Sequence, residues 1–318
     1  MSLKFVYALI SNADDYYAEQ TLISMYSFRR HNPDACVVLV TDSATLNSLT
    51  GPRAQIKEFA SEIVTVEAPA GFTPKERSRY IKTTLRQTLT GDFMYLDNDT
   101  IVTGPLNDVE KSDCEMGAVL DCHIGAQGDW QLNDYLRRTN KKHWDSDMYF
   151  NGGVFYVKDT EGSRKLFADW HEIWDRERVE YGISIDQPAL AQANMKNGFF
   201  ISQIDDRYNC QMVMPAAKKY MFEAKVIHYY SDSARGDYFL PKRKEWLQKV
   251  KENGISDEVK KVISNPQTVY LESSRFMGGE ELRIYYSPMV ILAIKLSRDF
   301  PWTNKIAKFI YRLFGFKI

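Results

Sequence analysis

Short apolar runs rich in β-branched residues alternate with stretches of helical period along roughly the first hundred residues, and no other feature limits the fold as strongly. Phe5–Ile10 (FVYALI) is a continuous apolar run of the kind that forms a buried strand. Leu22, Ile23, Met25 and Tyr26 then fall on one helical face, which Asn32-Pro33-Asp34 terminates. Cys36–Thr41 (CVVLVT), Ile63–Val66 and Phe93–Leu96 are three more strand candidates. Helical stretches lie at Ile56–Ala60 and at Arg79–Leu89, the latter ending near Gly91. Strands that alternate with helices predict a mostly parallel sheet sandwiched by helices, and right-handed crossovers make such an α/β domain doubly wound. Ligands of open α/β sheets bind beyond the carboxyl ends of the strands. The loops after Ile10 and after Leu96 are therefore expected in one crevice.

Further strands are expected at Met116–Leu120, Gly153–Val157 and Val226–Tyr230, with helices at Arg164–Glu177 and Pro188–Met195. Beyond Phe239 the composition changes, and Lys and Glu alternate through Pro241–Gly254 as on a solvated helix. The chain of 318 residues exceeds the size at which one core usually stops growing. We expect a main domain over 1–240 and a C-terminal helical appendage over 241–318. With 41 basic and 42 acidic residues, the net charge of −1 gives no reason to expect nucleic acid as a partner. Cys36, Cys114, Cys122 and Cys210 form no CxxC pair, so a structural zinc site is not expected. Reduced thiols suit an intracellular compartment, and Phe5–Ile10 is too short for a signal segment or a membrane span. A cytoplasmic location is expected.

The chemistry centres on Phe93-Met94-Tyr95-Leu96-Asp97-Asn98-Asp99-Thr100-Ile101-Val102. An apolar strand delivers two carboxylates, one residue apart, at its exit. They repel each other, and a divalent cation would relieve that repulsion. Hard oxygen ligands on a partly open site suit magnesium or manganese, with phosphate oxygens filling the remaining positions. The triplet alone also reads as a turn with two solvated acids; its place at a strand end in a βα pattern favours the metal.

The segment resembles the Asp-x-Asp motif of glycosyltransferases with the GT-A fold. With other segments in order between Phe5 and Tyr230, it is similar to family eight of those enzymes, the glycogenin and lipopolysaccharide galactosyltransferase family. The resemblance implies a GT-A-like, Rossmann-like domain. It also implies a retaining transfer from a nucleoside diphosphate sugar, a UDP-sugar, to an acceptor hydroxyl, with Mn2+ or Mg2+ as cofactor. It assigns Asp97, Asp99 and His228 of Val226-Ile227-His228-Tyr229-Tyr230 to the metal, an imidazole at a strand end serving equally a ligand or a structural role. Ala8-Leu9-Ile10-Ser11-Asn12 with Tyr17 is similar to the family's nucleotide loop, which places Ile10, Asn12 and Tyr17 at the base and ribose and Asn98 among the donor contacts. Tyr17 reads equally as a surface tyrosine. Arg77, Arg79 and Lys82 precede the metal strand; Arg79 and Lys82 share a helix face, where cations hold a diphosphate or simply meet solvent. Asn151-Gly152-Gly153 resembles the family's Phe-Asn-x-Gly-Val segment and implies contact with sugar hydroxyls. Asp186-Gln187-Pro188 resembles its Asp-Gln-Asp segment, with Asp186 on a sugar hydroxyl and Gln187 near the anomeric carbon. Pro188 departs from that pattern, and Asp186 would equally cap a helix that begins with a proline. Where the family continues with a lysine that meets the pyrophosphate, this chain reads Ser231-Asp232-Ser233-Ala234-Arg235, and Arg235 stands in for that lysine. No general base identifies itself; Asp186 and Asp121 are candidates.

Residues 300–318 form a basic amphipathic tail, with Ile306, Ile310 and Leu313 or Phe314 on one stripe. Such a helix either lies on a membrane surface or docks on the protein. The first option fits a peripheral position on the inner face of the membrane. The acceptor is then a glycan, a lipid-linked sugar or a protein, as in cell-surface polysaccharide assembly. Two other readings share the metal acids: a nucleotidyltransferase that makes nucleotide sugars, and a non-catalytic nucleotide- or glycan-binding module.

Overall fold

The structure is a computed structural model and describes residues 3–127, 132–212, 222–230, 239–269, 284, 287–300 and 302–313. The chain divides into two compact units, Met1–Ser274 and Arg275–Ile318.

The first unit is built on a seven-stranded sheet. In chain order its first elements are β1 (Lys4–Leu9), α1 (Tyr17–His31), β2 (Cys36–Thr41), α2 (Ser43–Ser48), α3 (Gln55–Phe59) and β3 (Glu62–Thr65). They continue with α4 (Pro74–Thr83), α5 (Leu85–Thr88), β4 (Phe93–Leu96), β5 (Thr100–Val102), β6 (Met116–Leu120), α6 (Leu132–Arg138) and β7 (Phe150–Val157). The remainder is α7 (Glu161–Tyr181), α8 (Gln187–Lys196), β8 (Ile201–Gln203), β9 (Cys210–Gln211), β10 (Val226–His228), α9 (Lys244–Asn253) and α10 (Asp257–Ser264). The strand order is β3-β2-β1-β4-β7-β6-β8. All neighbours are parallel except around β7, which runs against both β4 and β6. The mostly parallel sheet expected from the sequence is therefore present, with one reversed strand inside it.

Alternation along each strand explains the unbroken apolar runs. Phe5, Tyr7 and Leu9 of β1 enter one core with Leu22 and Phe28 of α1. Val6, Ala8 and Ile10 enter a second core with Ile81 of α4 and Leu166, Phe167 and Trp170 of α7. A sheet covered by helices on both faces needs apolar residues at every position. Trp246, Leu247 and Val250 of α9 and Val259 and Ile263 of α10 join the first core, so the Lys/Glu alternation there marks only the outer face of these helices.

Three local expectations need correction. The helix expected over Arg79–Leu89 starts earlier and breaks within. Thr73 and Glu76 form a reciprocal capping box with Pro74 in the first turn, and the helical geometry lapses at Thr84 between α4 and α5. Val226–Tyr230 contributes only Val226–His228 as strand, and that strand sits in a separate three-stranded sheet of order β5-β10-β9. Asp186 is the N-cap residue of α8, yet its side chain makes no capping hydrogen bond.

An ion pair with no sequence signature anchors the loop after β1. Arg53 Nε and Nη2 donate to Glu19 Oε1 and Oε2 at 2.6 and 2.9 Å, with Glu19 fully buried. The same guanidinium donates to the carbonyls of Asn12 and Asp15 at 2.6 and 2.9 Å, so one cation fastens α1 and the loop together.

In the second unit, helix Pro288–Asp299 starts with Ser287 accepting from the Val290 amide and Pro288 in its first turn, and helix Thr303–Leu313 follows. Among the described residues no helix is long and apolar enough to cross a membrane.

Removing one partner of a buried pair strands the other charge, at a cost of about 3–5 kcal/mol. Glu19→Ala is expected to lower the stability of the chain by about that amount, read as an earlier urea midpoint. An unchanged midpoint would show that Arg53 does not depend on Glu19.

Candidate functional site

A cleft of about 770 Å³ opens beyond the carboxyl ends of β1 and β4. The sheet brings together residues far apart in sequence: Ile10, Tyr17, Arg79, Lys82, Asp97, Asn98, Asp99, Asn151, Asp186, Gln187 and His228 all line it. Asn12 is not among the lining residues. Its Oδ1 accepts from the Asp14 amide at 2.7 Å, which shapes the loop. Arg77 turns instead to Asp42. Arg235 lies outside the described residues.

The acids at the exit of β4 take different partners. Asp97 Oδ1 accepts from Tyr95 Oη at 2.6 Å and lies 3.3 Å from Lys82 Nζ. Burial, then the adjacent Asp97 carboxylate, push the Tyr95 hydroxyl well above its ordinary pKa, so it stays a donor. Asp99 Oδ1 lies 3.3 Å from His228 Nε2 at the end of β10. Asp97, Asp99 and His228 offer ligand atoms that all lie within 4.8 Å of one another. Two carboxylate oxygens and one imidazole nitrogen on a half-open cleft form a donor set that could hold a divalent cation. Gly153 makes room for it. A Cβ there would stand 2.4 Å from His228 Cε1 and 2.7 Å from Asp97 Oδ2, whereas one at Gly152 would meet nothing closer than 3.8 Å.

The second polar group centres on Asp186. Arg79 Nε lies 3.0 Å from Asp186 Oδ1, and Lys82 Nζ lies 3.5 Å from Oδ2. Burial alone would raise the Asp186 pKa; the two cations overcome it and hold the carboxyl below its usual range. The Asp186 carbonyl accepts from Trp170 Nε1 at 2.9 Å, which ties the start of α8 to α7. Lys82 thus stands between Asp97 and Asp186, and Arg79 and Lys82 give the cleft positive charge beside the candidate metal ligands.

The third group is the start of β7. Gln187 Oε1 accepts from the Gly152 amide at 3.2 Å. Asn151 Nδ2 donates to Asp121 Oδ1 at 3.0 Å and Tyr230 Oη at 2.8 Å, while its Oδ1 accepts from the Gly153 amide and from Asn209 Nδ2, both at 2.9 Å. Asn151 is thus engaged on both sides of its amide within the protein. Tyr95, Asn209 and Tyr230 belong to the site without a sequence assignment. Tyr95 and Tyr230 stood two residues from Asp97 and His228, a readable position; Asn209 carried no signal.

The profile of glycosyl transferase family 8 matches residues 8–234, more than two thirds of the chain, from β1 to beyond His228. No curated protein matches by sequence. Among solved structures, the apo form of the WbbM bifunctional glycosyltransferase aligns with a TM-score of 0.53 and 15% identity over 84% of this chain and 52% of that one. The chain therefore spans about half the length of that enzyme. The galactosyltransferase LgtC, solved with donor and acceptor sugar analogues, aligns with a TM-score of 0.50 and 15% identity over 81% of this chain and 99% of that one. Mouse xyloside xylosyltransferase 1 aligns with a TM-score of 0.50 and 12% identity over 74% of this chain and 100% of that one. These likenesses establish the GT-A-like fold anticipated from the sequence. With the family profile covering more than two thirds of the chain and every described residue of the candidate site, the chain belongs to glycosyl transferase family 8 and is a glycosyltransferase.

Proposed function

We propose that this glycosyltransferase is metal-dependent, that its donor is a nucleoside diphosphate sugar with UDP as the nucleotide, and that it transfers to an acceptor hydroxyl with retention, in the assembly of a cell-surface glycan. The observation that carries the reading is the convergence of Asp97, Asp99 and His228 within 4.8 Å beside Arg79 and Lys82. Retention and the UDP donor rest on the family resemblance. A divalent cation held by the three ligands would supply positive charge opposite the leaving diphosphate. Lys82 and Arg79 add fixed positive charge on the same side, and Tyr95 orients Asp97. Asp186, pinned by its two cations and by Trp170, presents its carboxylate to a sugar hydroxyl. Gln187 has its Oε1 held by the Gly152 amide and keeps Nε2 as the donor available to substrate. Ile10 and Tyr17 flank the nucleotide; Tyr17 is 47% exposed, free to stack on a base.

The second unit supports peripheral membrane contact and with it a lipid-linked acceptor. Met289, Leu292, Phe309, Ile310 and Leu313 are exposed large apolar side chains. Lys295, Arg298, Lys305, Lys308, Arg312 and Lys317 accompany them in the sequence, and Asp299 is the only acid from Pro288 to Ile318. Apolar and basic residues together favour an anionic bilayer surface.

Asp97→Ala is expected to reduce sugar transfer by on the order of 10²–10³-fold, the scale of losing one preorganised electrostatic contact. Chelation should silence the wild type and manganese restore it; transfer that survives chelation would overturn the metal reading. Gly153→Ala should weaken manganese binding in calorimetry and destabilise the fold by about 1–3 kcal/mol through overpacking, while Gly152→Ala stays near the wild type. Equal behaviour of the two variants would remove the steric argument. In liposome flotation with anionic lipid, the full chain should float and residues 1–286, which lack both helices of the second unit, should not; identical behaviour counts against the membrane surface.

A further inference from the structure

The hydrogen bonds behind His228 fix more than the place of its ring, and they start from two groups whose polarity is not open to choice. The Gly153 amide can only donate, and it reaches Asn151 Oδ1 at 2.9 Å. The Asp121 carboxylate accepts, and Asn151 Nδ2 reaches it at 3.0 Å. Together they decide which end of the Asn151 amide is oxygen. Asn151 Oδ1 then accepts from Asn209 Nδ2 at 2.9 Å, which turns the Asn209 carbonyl the other way. Asn209 Oδ1 lies 3.2 Å from His228 Nδ1. A carbonyl oxygen has no hydrogen to give, so Nδ1 carries the proton. A neutral imidazole has one N–H, and Nε2 therefore keeps its lone pair on the side where Asp99 lies. Asn209 is fully buried at 0% exposure, and Tyr230 stacks on the imidazole with ring centres 4.1 Å apart and planes 2° apart.

We infer that Asn209 is a positioning residue: held by Asn151, it locks His228 in the Nδ1–H form and so keeps Nε2 ready to ligate a divalent cation with Asp97 and Asp99. This rests on the metal reading above and adds a residue that touches no substrate. Without an acceptor at Nδ1, the opposite form, with its proton on Nε2 facing Asp99, becomes the better satisfied one, and the nitrogen is closed to metal. Partners behind a ligating histidine are worth roughly 10–100-fold in metal affinity.

The test uses metal-free full-length chain labelled with ¹⁵N-histidine, at a pH where imidazole is neutral. With five histidines in the chain, long-range proton–nitrogen spectra can be assigned to His228 by one substitution, His228→Gln. The wild type should show a protonated Nδ1 and a bare Nε2. Asn209→Ala, which removes the acceptor, should lose that pattern. Manganese titration without nucleotide should show Asn209→Ala weakened by roughly 10–100-fold. A wild type protonated on Nε2 overturns the inference, as does a folded Asn209→Ala with wild-type manganese affinity. If Asn209→Ala does not fold, the wild-type spectrum decides. A wild type that takes up no manganese overturns the metal reading instead, and the tautomer, measured without metal, is judged separately.

Discussion

Two carboxylates held at one strand exit repel each other, and the surroundings of Asp97 and Asp99 answer that repulsion. Lys82 and Tyr95 both address Asp97 Oδ1, while His228 turns Nε2 to Asp99, so the repulsion left there would be answered by the proposed cation. Each partner comes from a different element: α4 brings Lys82, β4 brings Tyr95, and β10 brings His228. The sheet, the helix above it and the small second sheet must all be in place before the acids are tolerated together. Charges kept so close are stable only with compensating charge and hydrogen bonds around them, and here that compensation is also the binding chemistry of the cleft.

Lys82 links two halves of the site. It lies 3.3 Å from Asp97 and 3.5 Å from Asp186, so a proposed metal ligand and the carboxylate proposed to meet the sugar share one cation. Asp186 in turn is shared between Lys82 and Arg79. A change at any of these positions redistributes charge over the others, and their effects will not add. Around this centre the polar contacts run through backbone as well as side chains: Asp97 donates its amide to the Gly153 carbonyl at 2.7 Å, and Tyr229 donates its amide to the Asp99 carbonyl at 3.1 Å. The backbone of the motif is therefore stitched to both β7 and the end of β10.

Much of this was legible because it is local. Continuous β-branched runs mark strands buried on both faces, and an acid pair where such a run stops marks the crevice of an α/β sheet. The Thr73–Glu76 capping box was also written in the sequence, three residues apart after a loop, but the basic face of Arg79 and Lys82 drew the helix start too late. What stayed hidden is long-range. Nothing at Arg53 announces Glu19, and nothing at Asn209 announces Asn151 or His228, because those meetings depend on strand order. The reversal of β7 was equally unreadable, since a strand's apolar alternation is the same in either direction. Asn12 is a different case: it stands in a recognisable segment, and its side-chain oxygen accepts from the Asp14 amide within the loop.

The reversed strand has a consequence for how such a molecule can diversify. Because β6 runs up to the cleft and β7 departs from it, the segment 121–149 leaves and returns at the same rim. Its two ends are anchored where Asp121 bonds to Asn151. Insertions or replacements between those ends would leave the strand register beneath as it is. A parallel β7 would have required that stretch to travel back along the whole sheet. The topology therefore lets the connection between β6 and β7 change in length without moving the strands it joins.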